Sequence, residues 1–280
     1  MIIAGVDGSA AARAAVSWAA DDAMRMHEPL RIVHAVDRDP YQFSRFHAWL
    51  ELDVLVRVAQ MTVSEAADSV RECQPDVEVS TEIVEGAAAP ALCEQSKAAA
   101  EIVMGSRGLG GFSGALLGSV SLHVAGQAHC PVVVVRPGQE SAHGEVVVGV
   151  DDAPECEPAL EFAFRQAELR GGPLRAIHAW QRPVQLYAPQ VNYDPDDITA
   201  AANEVVAARL ARFRQEHPQV EVIEDVRRAH PVDALVDASA RAALVVVGSH
   251  GRGGFRSVLL GSVSHGVLHH ARCAVAVVRE

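Results

Sequence analysis

Residues 105–121 read GSRGLGGFSGALLGSVS, and residues 248–264 read GSHGRGGFRSVLLGSVS. The two stretches are in register: Gly105, two residues, Gly108, nine residues, then Gly118-Ser119, with Gly248, Gly251 and Gly261-Ser262 at the same spacings. A glycine-rich turn without a ligand is the bland reading of either copy alone. It is disfavoured for the pair, because a mere turn keeps its length with many sequences. Ahead of each copy stands an apolar run, Glu101–Met104 and Leu244–Val247, of the kind that forms a buried parallel strand. Each loop therefore leaves the carboxyl end of a strand.

Glycines at such a position allow close backbone approach, so that several amides converge on one anion. The spans end in Gly118-Ser119-Val120-Ser121 and Gly261-Ser262-Val263-Ser264, where a helix is predicted to start and its free amides and dipole favour phosphate. The serine hydroxyls are expected to add donors.

Working outward, the first half opens with a strand at Ile2–Val6, turns at Asp7-Gly8-Ser9, and continues into a helix capped by Ser9. A second strand at 30–36, a loop containing Tyr41 and Phe46, and a helix over about 48–73 follow. A strand near Val77–Val84, a helix near Pro90–Ala99, the strand before the glycine loop, another helix and the run Pro131–Val135 complete this half. The second half repeats the order from Val146 to Val278, at an offset of 144 in the first strands and 143 at the glycine loops. The indel between them is expected in the loop after the second strand, residues 181–198 in the second half. Alternating strand and helix imply two tandem α/β domains, 1–138 and 144–280, each a parallel sheet with helices on both faces and right-handed crossovers. The apolar terminal strands, residues 131–136 and 274–279, need partners, and are expected to meet across a pseudo-twofold axis.

Composition narrows the function. The 280 residues carry a net charge of −12 and no basic patch, which disfavours nucleic acid as a partner. No apolar run has the length of a membrane span, and the chain starts as a strand without a basic leader, so a cytoplasmic location is expected. Five cysteines without a CxxC pair read as buried thiols in a reducing compartment.

GVDGS at 5–9, VHAV at 33–36 and the twice-written glycine pattern resemble the universal stress protein family, as a tandem member of its ATP-binding type, over essentially the whole chain. The resemblance implies Rossmann-like five-stranded sheets in the order 3-2-1-4-5, with a nucleotide at the switch between strands one and four. Asp7 and Asp151, beside Gly5 and Gly149, would hold ribose hydroxyls. The backbone at Ala35 and Ala179 would meet adenine. Gly105, Ser106, Arg107, Gly108, Gly118, Ser119, Val120 and Ser121 would surround the phosphates in one half, and Gly248, Ser249, His250, Gly251, Gly261, Ser262, Val263 and Ser264 in the other. It further implies ATP, with Mg held through its phosphates, a homodimer, and a regulatory role in stress exerted through an unidentified protein partner. Gly8-Ser9 becomes Asp152-Ala153 in the second half; Asp152 is read as a helix cap ahead of Pro154, and as a carboxylate that disfavours polyphosphate if it turns inward.

The alternative is a slow ATP hydrolase or phosphotransferase. GxxxxGK[ST] is absent and Lys97, the only lysine, precedes the fourth strand, so the charge a P-loop places on the β- and γ-phosphates is missing. No G-x-S-x-G elbow is present for acyl chemistry. His265, His269 and His270 sit close together, but Leu122, Gly126 and Gln127 replace them in the first half, and no metal bound by protein side chains is expected. His34 and His178 recur on the second strands and read as satisfied core residues.

Overall fold

The computed structural model describes residues 1–37, 48–110, 117–138, 144–181, 195–251 and 260–279. Contacts divide the chain into two compact units, principally Met1–Gln139 and Glu140–Val278. Tyr41, Phe46 and most of the loop after the second strand of the second unit lie outside the described residues.

In the first unit, β1 (Ile2–Gly5), β2 (Leu30–Val36), β3 (Val79–Glu85), β4 (Glu101–Gly105) and β5 (Val132–Val135) form a sheet in the order β3-β2-β1-β4-β5. All of these pairings are parallel. The helices are α1 (Ala10–Met26), α2 (Ala48–Cys73), α3 (Ala88–Gln95) and α4 (Ser119–Gln127). Right-handed crossovers put α1 and α2, which touch, on one face, and α3 and α4, which touch, on the other. Covered on both faces, β1 and β4 bury Ile2, Ile3, Ile102 and Val103 completely, which accounts for runs without alternation.

The second unit repeats the plan. Its strands β6 (Val146–Gly149), β7 (Leu174–Trp180), β8 (Val222–Arg228), β9 (Leu244–Gly248) and β10 (Ala274–Val278) pair in the order β8-β7-β6-β9-β10, again parallel. Helices α5 (Glu157–Arg170), α6 (Pro195–Glu216), α7 (Pro231–Ser239) and α8 (Ser262–His270) complete it. Leu30 pairs with Val79 and Leu174 with Val222, so the repeat offset changes between the second and third strands. Residues 195–198, expected in the loop there, begin α6.

Local chemistry sets the boundaries. Ser9 is the N-cap of α1, its hydroxyl accepting from the Ala12 amide at 3.1 Å. Both first helices end on a left-handed residue, His27 at φ 53 and Gly171 at φ 62. A repeated clasp joins α3 and α7 to the turns before the last strands: Ser96 donates to the Cys93 carbonyl at 2.6 Å and accepts from the His129 amide at 2.8 Å. Ser239 does the same for Val236 and Arg272. The third helix is shorter than expected, because it tightens into a 3-10 turn at Ser96–Ala98, and the third strand runs to Glu85.

Two sequence expectations are corrected. The residue at the N-cap of α5 is Cys156, after a 3-10 turn at Pro154–Cys156, with no side-chain cap bond; Asp152 is therefore not the cap. Nor are all the thiols buried, since Cys73 is exposed at the end of α2.

Candidate functional site

Strand order reverses between β1 and β4, so the turn after β1 and the loop after β4 diverge and leave a crevice at the carboxyl ends of the strands. Asp7 stands in that crevice. Its Oδ1 accepts from the Ser9 amide at 3.0 Å and its Oδ2 from the Leu109 amide at 2.8 Å. A carboxylate has about four acceptor positions, so these two bonds orient the group and leave capacity for further donors. Gly8 makes the turn possible at φ +85, and the Arg13 guanidinium holds its carbonyl at 2.8 Å. A side chain on Gly108 would place Cβ 2.4 Å from Asp7 Oδ2, so a larger residue there has to push the carboxylate aside.

The base of the loop is closed by two bonds. The Gly118 amide donates to the Ser106 carbonyl at 2.7 Å, and the buried Ser121 hydroxyl donates to the Gly105 carbonyl at 2.7 Å. This fixes where α4 begins. Gly118 is its N-cap with extended backbone and no side-chain cap bond, and the first capped amide is that of Leu122, bonded to the Gly118 carbonyl. The amides of Ser119, Val120 and Ser121 thus occupy the helix positions that lack an intrahelical acceptor. Ser119 is exposed and Ser121 buried; in this geometry the Ser121 proton points at the strand, so the hydroxyl acts as a brace for the loop.

The second unit reproduces the frame with Asp151 accepting from the Ala153 amide at 3.1 Å, Gly261 donating to Ser249 at 2.8 Å, and the Ser264 hydroxyl donating to Gly248. Gly261 is likewise an N-cap without a side-chain bond. His250, in the place of Arg107, has its Nδ1 3.1 Å from the Ser249 hydroxyl. The space beside Gly5 is filled by Leu92 and that beside Gly149 by Leu235, at 3.2 and 3.3 Å from an added Cβ, so these two glycines seat α3 and α7. Ala35 and Ala179 are half-buried near the carboxyl ends of β2 and β7.

Several neighbours were not legible in the motifs. Arg209 of α6 reaches the Asp152 carbonyl and the Glu157 carboxylate across 57 and 52 positions, a distance over which no sequence pattern points. Burial, then the adjacent Asp151 carboxylate, pushes the Cys156 thiol up. The two histidines differ. His178 is buried with Nδ1 2.9 Å from the Val150 carbonyl, as expected of a satisfied core residue. His34 is only half-buried beside the Val6 carbonyl, and burial holds its imidazole below the ordinary value against the pull of Asp7 and of that carbonyl. Among the described residues no helix is long and apolar enough to cross a membrane.

The sequence profile described as "Universal stress protein family" matches residues 1–136 and again residues 143–279. The chain is 37% identical over 292 aligned residues to universal stress protein Rv2005c of Mycobacterium tuberculosis, covering 100% of this chain and 97% of that one. It is 38% identical to Rv2623 of the same organism, at 100% and 96% coverage. Among solved structures, a universal stress protein from Archaeoglobus fulgidus superposes with a TM-score of 0.73 at 20% identity, over 100% of this chain and 96% of the other.

Proposed function

From the premise that this chain belongs to the universal stress protein family, we propose that it is a regulatory stress-response protein that binds ATP, with Mg, at one site in each unit. Nucleotide occupancy sets its conformation or its affinity for a protein partner, in a cytoplasmic homodimer. The observation that carries this reading is the twice-built constellation: a carboxylate after the first strand stands beside a glycine of the loop, Asp7 by Gly108 and Asp151 by Gly251, and the far end of the loop is a helix N-terminus without a side-chain cap. The carboxylate suits ribose hydroxyls, and the open amides suit phosphate.

Mass spectrometry of the nucleotide that co-purifies with the chain, followed by calorimetry with MgATP, tests it. Two adenine nucleotides per chain are expected, and a chain that carries and takes up none refutes it. Turnover is expected to be negligible. Lys97 lies before β4, at the opposite end of the strand from the loop, and its ammonium bonds to Glu94 at 2.6 Å. Backbone donors of this kind bind ground-state phosphate without favouring a transition state.

A further inference from the structure

In both units a guanidinium holds the turn after the first strand, but it comes from different helices. Arg13 of α1 donates to the Gly8 carbonyl at 2.8 Å. In the second unit Glu157 occupies the place of Arg13, and Arg209 of α6 donates instead to the carbonyl of Asp152, the counterpart of Gly8. The buried stripes of α2 and α6 align Val63, Ala67 and Val70 with Val206, Leu210 and Phe213, which puts Ala66 at the position of Arg209. Ala66 lies one helical turn beyond Thr62, whose Oγ1 is 3.7 Å from a Cβ added at Gly8. Each unit thus has one arginine at two available positions, and both arginines take the same carbonyl. A contact that served only the packing of one helix would stay with that helix.

That carbonyl belongs to the peptide group that orients the aspartate. The Gly8 carbonyl and the Ser9 N–H share one plane and point in opposite directions, and the Ser9 N–H donates to Asp7 Oδ1 at 3.0 Å. The Asp152 carbonyl and the Ala153 N–H stand in the same relation to Asp151 Oδ1, at 3.1 Å. A guanidinium on one end of the plane therefore fixes the direction of the donor on the other, and strengthens that donor by polarising the peptide. In the first unit the Ser9 hydroxyl carries the turn on to the glycine loop, donating to the Arg107 carbonyl at 3.2 Å.

We infer that Arg13 and Arg209 are equivalent positioning residues, each aiming, through one peptide plane, the aspartate that meets the ribose hydroxyls of its site. The inference rests on the nucleotide-binding reading above. A carboxylate already aimed loses less freedom when the sugar binds, and the gain appears in affinity for ligands that carry those hydroxyls. Neither arginine need touch the nucleotide.

The test uses the full chain. Amide exchange followed by NMR without nucleotide should show the Ser9 amide exchanging about threefold to tenfold faster in Arg13→Ala, the effect of one lost hydrogen bond, and the Ala153 amide likewise in Arg209→Ala. By calorimetry each variant should weaken one of the two equivalents of MgATP by a similar factor. Dideoxy-ATP with Mg, which lacks both ribose hydroxyls, should bind the variants as it binds the unsubstituted chain. Adding Ala66→Arg to Arg13→Ala copies the arrangement of the second unit, and should restore both Ser9 exchange and MgATP binding. Equal weakening for the two nucleotides overturns the inference, since the guanidinium then acts on the phosphates or on the unit as a whole. A Ser9 amide that exchanges as before also overturns it, and leaves the nucleotide-binding reading standing. An unsubstituted chain that takes up no MgATP overturns that reading, and this inference with it.

Discussion

The Leu109 amide donates to Oδ2 of Asp7 at 2.8 Å across 102 positions of sequence. That bond joins the turn after the first strand to the loop after the fourth, the two segments that diverge at the switch point of the sheet. Gly108 passes the same oxygen, where an added Cβ would lie 2.4 Å away. Gly108→Ala should therefore displace the Asp7 carboxylate from the Leu109 amide and lower the stability of the first unit by about 1 kcal/mol, the net worth of one hydrogen bond. Thermal melting of the two chains checks this, and an unchanged melt would show that the loop does not rest on Asp7.

The clasp serines offer a second check, away from the site. Ser96 and Ser239 are each 1% exposed, and each bridges a helix carbonyl to the amide before a terminal strand. Ser96→Ala or Ser239→Ala removes both clasp hydrogen bonds, to the helix carbonyl and from the amide of the exposed His129 or Arg272, and should destabilise its unit by about 1–3 kcal/mol. Ser119→Ala, at an exposed hydroxyl, should stay within about 0.5 kcal/mol. Denaturant titration separates these outcomes, and equal midpoints for all three variants would contradict the role given to the clasp.

How far the sequence led can be judged at particular residues. Period and repetition gave the strands, their order through the resemblance, and the capping by Ser9, because these depend on local pattern and on chain order. The start of α5 was missed. Pro154 signals a first helical turn, yet Asp151 binds the Ala153 amide and the segment tightens into a 3-10 turn before the helix begins. The roles of the glycines were only half legible. Gly118 and Gly261 mark helix starts, but that Gly5 admits Leu92 and Gly105 admits the Ala11 backbone depends on helices distant in sequence. The brace from Ser121 to Gly105 and the tie from Ser9 to Arg107 were invisible for the same reason.

His34 gives the first unit a dependence on pH. Burial lowers its folded-state value below the unfolded one, so the unfolded chain binds the proton more readily. Its contribution is fully present above the ordinary histidine value of about 6.5 and is lost as pH falls from there through the lower folded-state value. Melting from pH 8 to pH 5 should show the first unit weakening over that window, with a smaller slope for His34→Gln. An identical slope in the variant would assign the effect to other groups.

Gly118 and Gly261 allow the number of sites to be counted. An added Cβ at Gly118 comes no nearer than 3.5 Å to the Ser106 carbonyl, and at Gly261 no nearer than 3.4 Å to His250 Cα and the Ser249 carbonyl. These are ordinary contacts, so Asp at either position is compatible with the fold. A carboxylate at a helix N-cap is itself favourable to the helix, yet it occupies the amides and opposes the charge of an incoming phosphate. Each substitution should thus remove one site while leaving its unit folded. ATP at about a hundred times its dissociation constant stabilises a one-site unit by roughly 2.7 kcal/mol, and each variant should lose that increment in one unit only. Calorimetry should count two nucleotides in the unsubstituted chain, one in Gly118→Asp or Gly261→Asp, and none in the double variant. A count unchanged by Gly261→Asp but abolished by Gly118→Asp would make the second site vestigial, with Asp152 and the withdrawn start of α5 as its cause. A count that neither substitution changes would move the phosphates away from these helix termini altogether.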